Sequence, residues 1–521
     1  MRISFFKYLK EKIKGEAEYS YISESLSIVF LFILCVFMIY LGPKGFDKIL
    51  FGFIFLRYWF SKKDYYWFAF FIIISFTPAG FFTESSLESA RRLPLFTIVP
   101  KMSLSVYDIF LILALVKGFI KGHRPKLKDI YNMKLMFVVL ISLFYVTFYF
   151  GMSLNQFTNR TLRGLFFYTF FFSLPALVHR KEDIYKFMYM FFPFVFLEIV
   201  SQFYLLKTGM DLITIFNPET ILTLSQDMWT GGIRPVANGY AVVITGFIFA
   251  FVFLENKDKF SSNFYILSVI FFSSFSILIS ATRQSIIMLL FMFVLYFFFL
   301  SSKRSNLVLQ LFIVVLFFIL ILDYVNVWDL NSIVGGSIDR LIGAVGFKNG
   351  SITAEDTLEF RITERLPKLI EAINNSLFLG YGFSDKFYEN YDGHLGGVLV
   401  GLLQAGLFGY AFYIYFIINI FRVNYKYIRF FKSNNSYAPG IKVLTMGLAG
   451  FALVNIFIEP VFVINVFSRP QEIFVFLLIS SMFIHYGKKE YALNNKKIIK
   501  RIRNKNLEIS EKPVFNNATQ I

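Results

Sequence analysis

Apolar segments of membrane-spanning length recur along the whole chain, and they constrain its fold more than any other feature. A helix needs about 20 apolar residues to cross the hydrocarbon core of a bilayer. Hydrophobic residues make up 56% of the 521 residues and aromatic residues 20%, which leaves little polar surface for a water-soluble domain. The segments are continuous rather than alternating, which argues against a membrane β-barrel. The sequence therefore predicts an all-α polytopic integral membrane protein.

Segment length and charge breaks predict about fourteen transmembrane helices. They are placed at 25–42, 46–61, 64–81, 105–121, 132–150, 161–178, 184–206, 236–254, 263–281, 284–301, 306–322, 395–421, 441–464 and 470–487. The predicted organisation is an N-terminal segment 1–24, a transmembrane domain 25–487 with a large loop 323–394, and a basic tail 488–521. The first 25 residues are polar and basic, which is not typical of a cleavable signal peptide.

Lysine and arginine are concentrated in every second short loop, which predicts the orientation in the membrane. Such loops read "SKKD" (61–64), "HRKED" (179–183) and "RVNYKYIRFFK" (422–432), and both termini fall on their side. This side is expected to be cytoplasmic. In a bacterial inner membrane, the long loops on the other side would then face the periplasm. The net charge of +18 is accounted for by topology, with the tail as a lipid-surface anchor, rather than by nucleic-acid binding.

Several arginines fall on the predicted outer side, against this bias. They include Arg234, Arg283, Arg361 and Arg365. Each alone is explained by interfacial anchoring, with its guanidinium reaching the lipid headgroups. As a set they could converge on one anion, because arginine holds phosphate oxygens in bidentate fashion and stays charged when half-buried. A pyrophosphate at the membrane surface is such an anion.

His394 lies in the stretch "NYDGHLGGVLVGLLQAGLFG" (390–409), where a polar loop meets an apolar segment. An unperturbed imidazole titrates near neutrality and can accept a proton from a hydroxyl group. Asp392 is close enough in sequence to orient the ring or to share the role of base. A helix-capping or interfacial histidine is the alternative. The other three histidines, His123, His179 and His485, lie in or near predicted cytoplasmic regions and are assigned no role.

Three stretches together resemble the O-antigen polymerase and O-antigen ligase (Wzy/WaaL) family of bacterial lipid-linked glycan enzymes. They are "GGIRPVANGYAVVITGF" (231–247), "LISATRQSIIMLLFMF" (278–293), and "EFRITERLPKLIEAINNSLFLGYGF" (359–383) followed by "GHLGGVLVGLLQAGLFG" (393–409). The last is similar to the family's arginine, helix, Gly-any-Gly and histidine order. The chain departs from the family pattern at Gln284, where glycine is usual, and at Leu395, where asparagine is frequent.

The resemblance implies glycosyl transfer from an undecaprenyl-pyrophosphate-linked oligosaccharide donor to a sugar hydroxyl of a glycan acceptor, in a GT-C-like glycosyltransferase architecture. Pyrophosphate is a good leaving group, so the protein must neutralise it, activate the hydroxyl and align the two. Arg283 and Arg234 are the first candidates for pyrophosphate binding, followed by Arg361 and Arg365. His394 and Asp392 are the catalytic candidates. Asn238 binds pyrophosphate or, somewhat more in keeping with its position, caps the helix that follows.

No cofactor is expected, and catalysis is expected to be metal-independent, because we find no Asp-any-Asp pair to hold a divalent ion. A polymerase joining lipid-linked repeat units is favoured over a ligase that transfers the glycan to lipid A core or protein. A lipid-linked-sugar flippase is a third alternative, disfavoured because no internal repeat is visible. The lipid bilayer is an expected partner, and a chain-length regulator is a further candidate.

A few other residues leave alternatives open. Gly380 and Gly382 indicate either close backbone approach to a glycan or a tight re-entry into the membrane with close helix packing. Glu198 is an intramembrane acid and such residues are usually functional or paired, but the sequence names no partner. Asp108 and Glu459 lie near predicted outer ends of spans, and either could join the site.

Overall fold

The structure is a computed structural model of the 521-residue chain. The described residues are 2–43, 45–76, 78–81, 95–99, 102–122, 134–153, 169–178, 180–216, 240–255, 263–280, 283–299, 302–324, 361–390, 397–431, 437–457 and 475–492.

The described chain is almost entirely helical. In the N-terminal half the elements are α1 Arg2–Tyr40, α2 Phe46–Phe60, α3 Asp64–Ser75, a 3₁₀ turn Pro78–Gly80, β1 Leu95–Val99, β2 Met102–Ser105, α4 Val106–Lys121, α5 Lys134–Phe150, α6 Phe170–Leu177, α7 Lys181–Tyr189, α8 Phe192–Thr208, a 3₁₀ turn Leu212–Ile215 and α9 Tyr240–Glu255. The C-terminal half comprises α10 Asn263–Ile279, α11 Arg283–Phe299, α12 Ser302–Tyr324, a π-helical turn Arg361–Arg365, α13 Leu366–Asn375, α14 Asp385–Asn390, α15 Gly397–Phe431, α16 Ala438–Phe457 and α17 475–492.

Three described segments are long and apolar enough to cross a membrane: Ser20–Tyr40, Lys181–Thr208 and Gly397–Phe431. Other apolar helices, such as Val138–Phe150 and Phe264–Ile279, are shorter. The predicted membrane character is therefore supported by these helices, whereas the number of fourteen spans stays a prediction. The bounds of α2, α4, α5 and α10 agree with predicted spans to within two residues.

One short antiparallel hairpin interrupts the helical pattern, in the predicted outer loop 82–104. β1 pairs with β2 in a register that places Leu95 opposite Ser105 and Phe96 opposite Leu104, with an irregularity between Thr97 and Val99. Ser105 then caps α4: its hydroxyl accepts from the Asp108 amide, and Asp108 accepts from the Ser105 amide in return. Asp108, a candidate for the outer site, thus has a capping-box role.

The predicted span 64–81 is helical only as far as Ser75. Pro78 disfavours helix in the residue before it, and the chain turns at Pro78–Gly80. Ala79 has a φ of 52°, unusual for a residue with a Cβ. The carboxylate of Glu198 in α8, which is fully buried, accepts a hydrogen bond from the Ala79 amide. The backbone of this turn is therefore a hydrogen-bond partner of Glu198 that could not be identified from the sequence.

The stretch 422–432, predicted as a cytoplasmic loop, is helical to Phe431 because α15 continues through it. Its charged residues are good helix formers, and the helix packs against α17. A Cβ on Gly487 would lie 2.7 Å from the Phe431 ring, and Lys488 Nζ lies 4.4 Å from the centroid of the Tyr427 ring. The basic stretch is therefore helical in structure, whereas its cytoplasmic location stays a prediction.

Aromatic packing accounts for much of the core. Phe68, Phe71 and Phe110 are fully buried, and the rings of Phe71 and Phe110 stack with centroids 4.0 Å apart. Nearby, the buried side chain of Lys117 in α4 hydrogen-bonds to the end of α2 and the start of α3. Its ammonium donates to the Tyr58 and Ser61 carbonyls, both at 2.8 Å, and to Asp64 Oδ1 at 2.6 Å. The desolvated cation is therefore fully hydrogen-bonded, as a buried charge requires.

Candidate functional site

The predicted site residues fall into three groups in the structure. His394, Asp392, Arg234 and Asn238 lie outside the described residues, as does Glu459. Arg283 and Arg361 are described by their backbone, at the first residue of α11 and of the π-helical turn. Arg365 is described with its side chain, which is half-buried. The elements that carry or flank these residues therefore define the candidate site.

Arg361 and Arg365 are the first and last residues of a π-helical turn that leads directly into α13. Pro367, at the start of α13, has no N–H and cannot donate the α-helical hydrogen bond to residue 363, which favours a wider turn before it. Isolated π-helical turns occur frequently at functional sites. The "RITERLP" stretch thus places both arginines on a local geometry of the kind used in binding sites.

α13 is amphipathic and packs its apolar face on the first part of α15. Leu369, Ala372 and Ile373 are buried in one cluster with Val400 and Leu403. The opposite face of α13 is exposed and carries Lys368, Glu371, Asn374 and Asn375. The arginine-bearing turn is therefore held beside the helical segment that begins three residues after His394 in sequence.

α15 is broken at Gly406, whose φ of 62° and ψ of −178° are accessible only to glycine. The predicted continuous span 395–421 is thus two helical segments. The backbone groups that lose their helical partners at the break bond instead to residues that follow α13. Leu407 and Phe408 donate to the carbonyls of Leu377 and Phe378 at 2.8 and 3.2 Å.

The exchange at this break is reciprocal. In an unbroken helix, the carbonyls of Leu403 and Gln404 would accept from the amides of Leu407 and Phe408. Here they accept from Tyr381 and Gly382 instead, at 2.9 and 2.8 Å. Every backbone group that the break releases at these four positions is therefore paired with the segment 377–382.

Gly380 and Gly382 make this pairing possible. Both have positive φ angles, 69° and 60°. A Cβ on Gly380 would lie 2.4 Å from the Gln404 carbonyl oxygen, and one on Gly382 would lie 2.4 Å from the Leu143 carbonyl oxygen. This geometry supports the structural explanation of the Gly-Tyr-Gly motif, in which close backbone packing excludes a side chain.

The end of α5 is the third element of the site. Thr147 Oγ1 donates to the Leu143 carbonyl and accepts from the Phe383 amide at 2.7 Å. Asp385 accepts from the Ser153 amide at 2.8 Å. α5, the segment 376–385 and the break in α15 therefore form one packed unit, and α14 and α15 flank the positions of Asp392 and His394.

Tyr381 and Gln404 are buried polar residues of this unit that sequence reasoning missed. The Tyr381 ring lies against Phe150, with centroids 4.9 Å apart. Its phenol can donate a hydrogen bond. The Gln404 side chain is fully buried, and its amide has no hydrogen-bond partner among the described residues. The sequence does contain a signal for both residues, because each is a polar residue next to or near a glycine in an apolar stretch.

The helix that begins at Arg283, which is α11, and α15 pack against a common neighbour, α16. Gly450 of α16 approaches Met288 of α11, and Thr445 of α16 accepts from the Asn424 side chain of α15 at 3.0 Å. The helix that begins with Arg283 and the helix that follows His394 thus share one neighbour. Within the described ranges, no group of three His, Cys, Asp or Glu side chains forms a metal-binding cluster.

No protein-family model matches this chain, and no curated protein sequence matches it.

Proposed function

We propose that this protein is a membrane-embedded glycosyltransferase of the O-antigen polymerase type, with about fourteen transmembrane helices and a GT-C-like architecture. In this proposal both termini are cytoplasmic, the protein lies in a bacterial inner membrane, and the site faces the periplasm. The donor is an oligosaccharide on undecaprenyl pyrophosphate, and the acceptor is another lipid-linked repeat unit.

The observation that carries the proposal is the packing of the Arg361–Arg365 turn beside the helix that follows His394. Leu369 and Ile373 of α13 are buried with Val400 and Leu403 of α15. The turn that carries Arg361 and Arg365 therefore leads into a helix packed on α15, whose first residue follows His394 by three positions in sequence. A transfer reaction needs both an anion-binding group and a base, because one group stabilises the leaving pyrophosphate while the other activates the hydroxyl.

The reaction is a single displacement. The acceptor hydroxyl oxygen attacks the anomeric carbon as the bond from that carbon to the pyrophosphate oxygen breaks. His394, oriented by Asp392, takes the hydroxyl proton. Arg361 and Arg365, with Arg283, Arg234 and Asn238, bind the undecaprenyl pyrophosphate that leaves with the electron pair. No external cofactor is required for this balance.

The break in α15 is the observation that favours the alternative of a transporter, because broken helices hold substrates in many secondary transporters. In those proteins the released backbone groups face the substrate. In α15 the groups at Leu403, Gln404, Leu407 and Phe408 are bonded to the segment 377–382. The break thus serves packing at these positions, and this supports the transferase over the flippase.

The experiment uses the purified full-length protein in detergent with EDTA. Lipid-linked oligosaccharides extracted from a source strain that lacks this gene serve as donor and acceptor, and the products are separated by size. We expect a ladder from the wild type and none from His394→Ala or Arg365→Ala. His485→Ala on α17 and Arg429→Ala at the far end of α15 from Gly397 are the matched controls and should give the wild-type ladder.

Two results would contradict the proposal. Transfer that occurs only when a lipid A core acceptor is added would indicate a ligase. A ladder that persists in both site variants would retain glycan polymerisation but reject the assigned residues.

A further inference from the structure

An exposed apolar patch lies where the segment after α13 meets the break in α15. Three consecutive residues, Leu377, Phe378 and Leu379, are 37%, 68% and 48% exposed. Leu407 and Phe408, whose amides bond to the first two, are 50% and 51% exposed. We call Leu377–Leu379 the apolar loop. A contiguous patch of large apolar side chains marks a contact surface rather than ordinary scatter.

The polarity of the surface changes sharply on both sides of the apolar loop. Before it, α13 exposes Lys368, Glu371 and Asn375. After it, α14 exposes Lys386 and Glu389. Two water-compatible surfaces therefore flank one apolar projection, as expected where a chain enters and leaves the apolar part of a bilayer.

Two carbonyls of the apolar loop, and both backbone groups of the glycine that follows it, are hydrogen-bonded within the protein. The carbonyls of Leu377 and Phe378 accept from α15, and the Gly380 carbonyl accepts from the Ser376 hydroxyl at 2.6 Å. The Gly380 amide donates to the Ser376 carbonyl at 2.8 Å. Irregular backbone is tolerated at membrane depth only where its polar groups are satisfied by protein.

The contacts of the residues after the apolar loop with α5 also indicate that the chain lies at membrane depth. Gly382 packs against Leu143 and Thr147 of α5 rather than against its last residue, Phe150. Leu143 precedes Phe150 by two helical turns, which is about 10 Å along the axis. With α5 crossing the bilayer, Gly382 and Phe383 therefore lie below the end of α5, and the chain returns to that end at Asp385, whose amide donates to the Gly151 carbonyl. Three aromatic residues near the same end of α5, Tyr145, Phe148 and Tyr149, are also strongly exposed, as is common where a helix meets a membrane interface.

We propose that the apolar loop re-enters the membrane and that its side chains contact lipid acyl chains in the leaflet where α5 ends. The loop is continuous with the exposed face of α15, a helix long enough to span, and this continuity selects lipid as its occupant. Its position fixes the Arg361–Arg365 turn near the headgroup level. The proposal does not depend on glycan transfer.

The test measures the environment of one labelled position in liposomes. Cys35 is the one cysteine of the chain, so Cys35→Ala gives a background for single-cysteine variants. Phe378→Cys is labelled with the fluorophore NBD and reconstituted in phosphatidylcholine vesicles. Ile418→Cys, on the exposed face of α15, is the lipid reference, and Lys386→Cys, exposed on α14, is the aqueous reference. Doxyl-labelled phosphatidylcholine quenches from the lipid and iodide quenches from water.

We expect NBD at position 378 to emit at the shorter wavelengths seen at 418, and doxyl lipid but not iodide to quench it. Iodide quenching equal to that at position 386 would overturn the proposal. Protection from both quenchers would also overturn it, because it would place protein, from this chain or a second copy, over the loop. Leu407→Cys provides a second position if Phe378→Cys does not elute as a monodisperse protein.

Discussion

The amide of Leu407 donates a 2.8 Å hydrogen bond to the carbonyl of Leu377, in place of the bond to Leu403 that an unbroken helix would make. Leu403 in turn accepts from Tyr381. A helix break is normally costly, because it leaves backbone groups unsatisfied in a place where water cannot reach them. Here the segment after α13 replaces each lost partner, so the break fixes where that segment and its arginine-bearing turn can lie.

Gly406→Ala is expected to destabilise the protein strongly. A Cβ at this position would lie 2.4 Å from the Phe378 carbonyl carbon and oxygen, and the backbone conformation excludes residues other than glycine. The backbone strain alone corresponds to about 3 kcal/mol. Thermal unfolding of the purified protein in detergent measures the effect.

Gly52→Ala is the matched control for this change. Gly52 lies within α2, and no atom lies within 4 Å of an added Cβ. Alanine there should leave stability unchanged or raise it by about 1 kcal/mol through helix propensity. Equal losses from the two variants would contradict the structural role of the break.

Thr147→Val tests how α5 holds the segment after α13. The substitution keeps the shape of the side chain but removes the oxygen that accepts from the Phe383 amide. A buried amide left without a partner costs about 1–3 kcal/mol. We expect a lower melting temperature for Thr147→Val and a value near wild type for Thr147→Ser, which keeps the hydroxyl. If both variants melt alike, the hydrogen bond contributes nothing measurable.

Helices were easier to predict from sequence than the contacts between them. α5 was predicted at 132–150 and lies at Lys134–Phe150, because an apolar run with charged or glycine ends marks its own limits. The break at Gly406 was not predicted, since glycine is common in membrane helices and does not by itself interrupt one. The break depends on partners at 377–382, and hydropathy carries no information about such pairing.

The order of the candidate residues along the chain can be read from the sequence, but their geometry cannot. The spacing of Leu369, Ala372 and Ile373 predicts an apolar face on α13 but does not identify α15 as the helix that covers it. The π-helical turn at Arg361–Arg365 depends on local competition between hydrogen bonds, which residue spacing does not reveal. The roles of His394, Asp392, Arg234 and Asn238 stay predictions, because these residues lie outside the described ranges.

Arg365→Ala is expected to lower kcat/KM of the proposed transfer by about 10²–10³-fold, the usual effect of removing one donor to a developing negative charge. Arg365→Lys should recover only part of this loss, because an ammonium cannot bind phosphate in bidentate fashion. Lys368→Ala, a cation removed from the exposed face of the same region, is the control and should retain full activity. Steady-state rates with the extracted lipid-linked oligosaccharides provide the measurement. Equal effects of Arg365→Ala and Lys368→Ala would indicate a diffuse electrostatic contribution.

Lys117→Ala and Asp64→Ala are each expected to reduce stability by about 3–5 kcal/mol, since each leaves a desolvated charge without its main partner. The two side chains are only 2% and 12% exposed, so solvent screens the pair weakly. A Lys117→Met, Asp64→Leu double variant should lose less than the sum of the two single changes. Unfolding of all the variants in one detergent gives the comparison, and additive losses would mean that the 2.6 Å contact carries no coupling.

Glu198→Gln and Glu198→Leu distinguish two roles for this buried acid: a structural hydrogen bond to the Ala79 amide, and an ionisable carboxyl that takes part in transfer. Glu198 accepts a hydrogen bond from the Ala79 amide and so holds the turn at Pro78–Gly80, where Ala79 has a positive φ. Glutamine keeps an acceptor oxygen at the same distance along the side chain, whereas leucine leaves the buried amide unsatisfied at a cost of about 1–3 kcal/mol. If Glu198 serves the turn, glutamine should preserve the melting temperature and leucine should lower it, with both variants retaining transfer at temperatures where they are folded. If glutamine keeps the stability but abolishes transfer, the ionisable carboxyl has a role in the reaction that its contact with Ala79 does not explain.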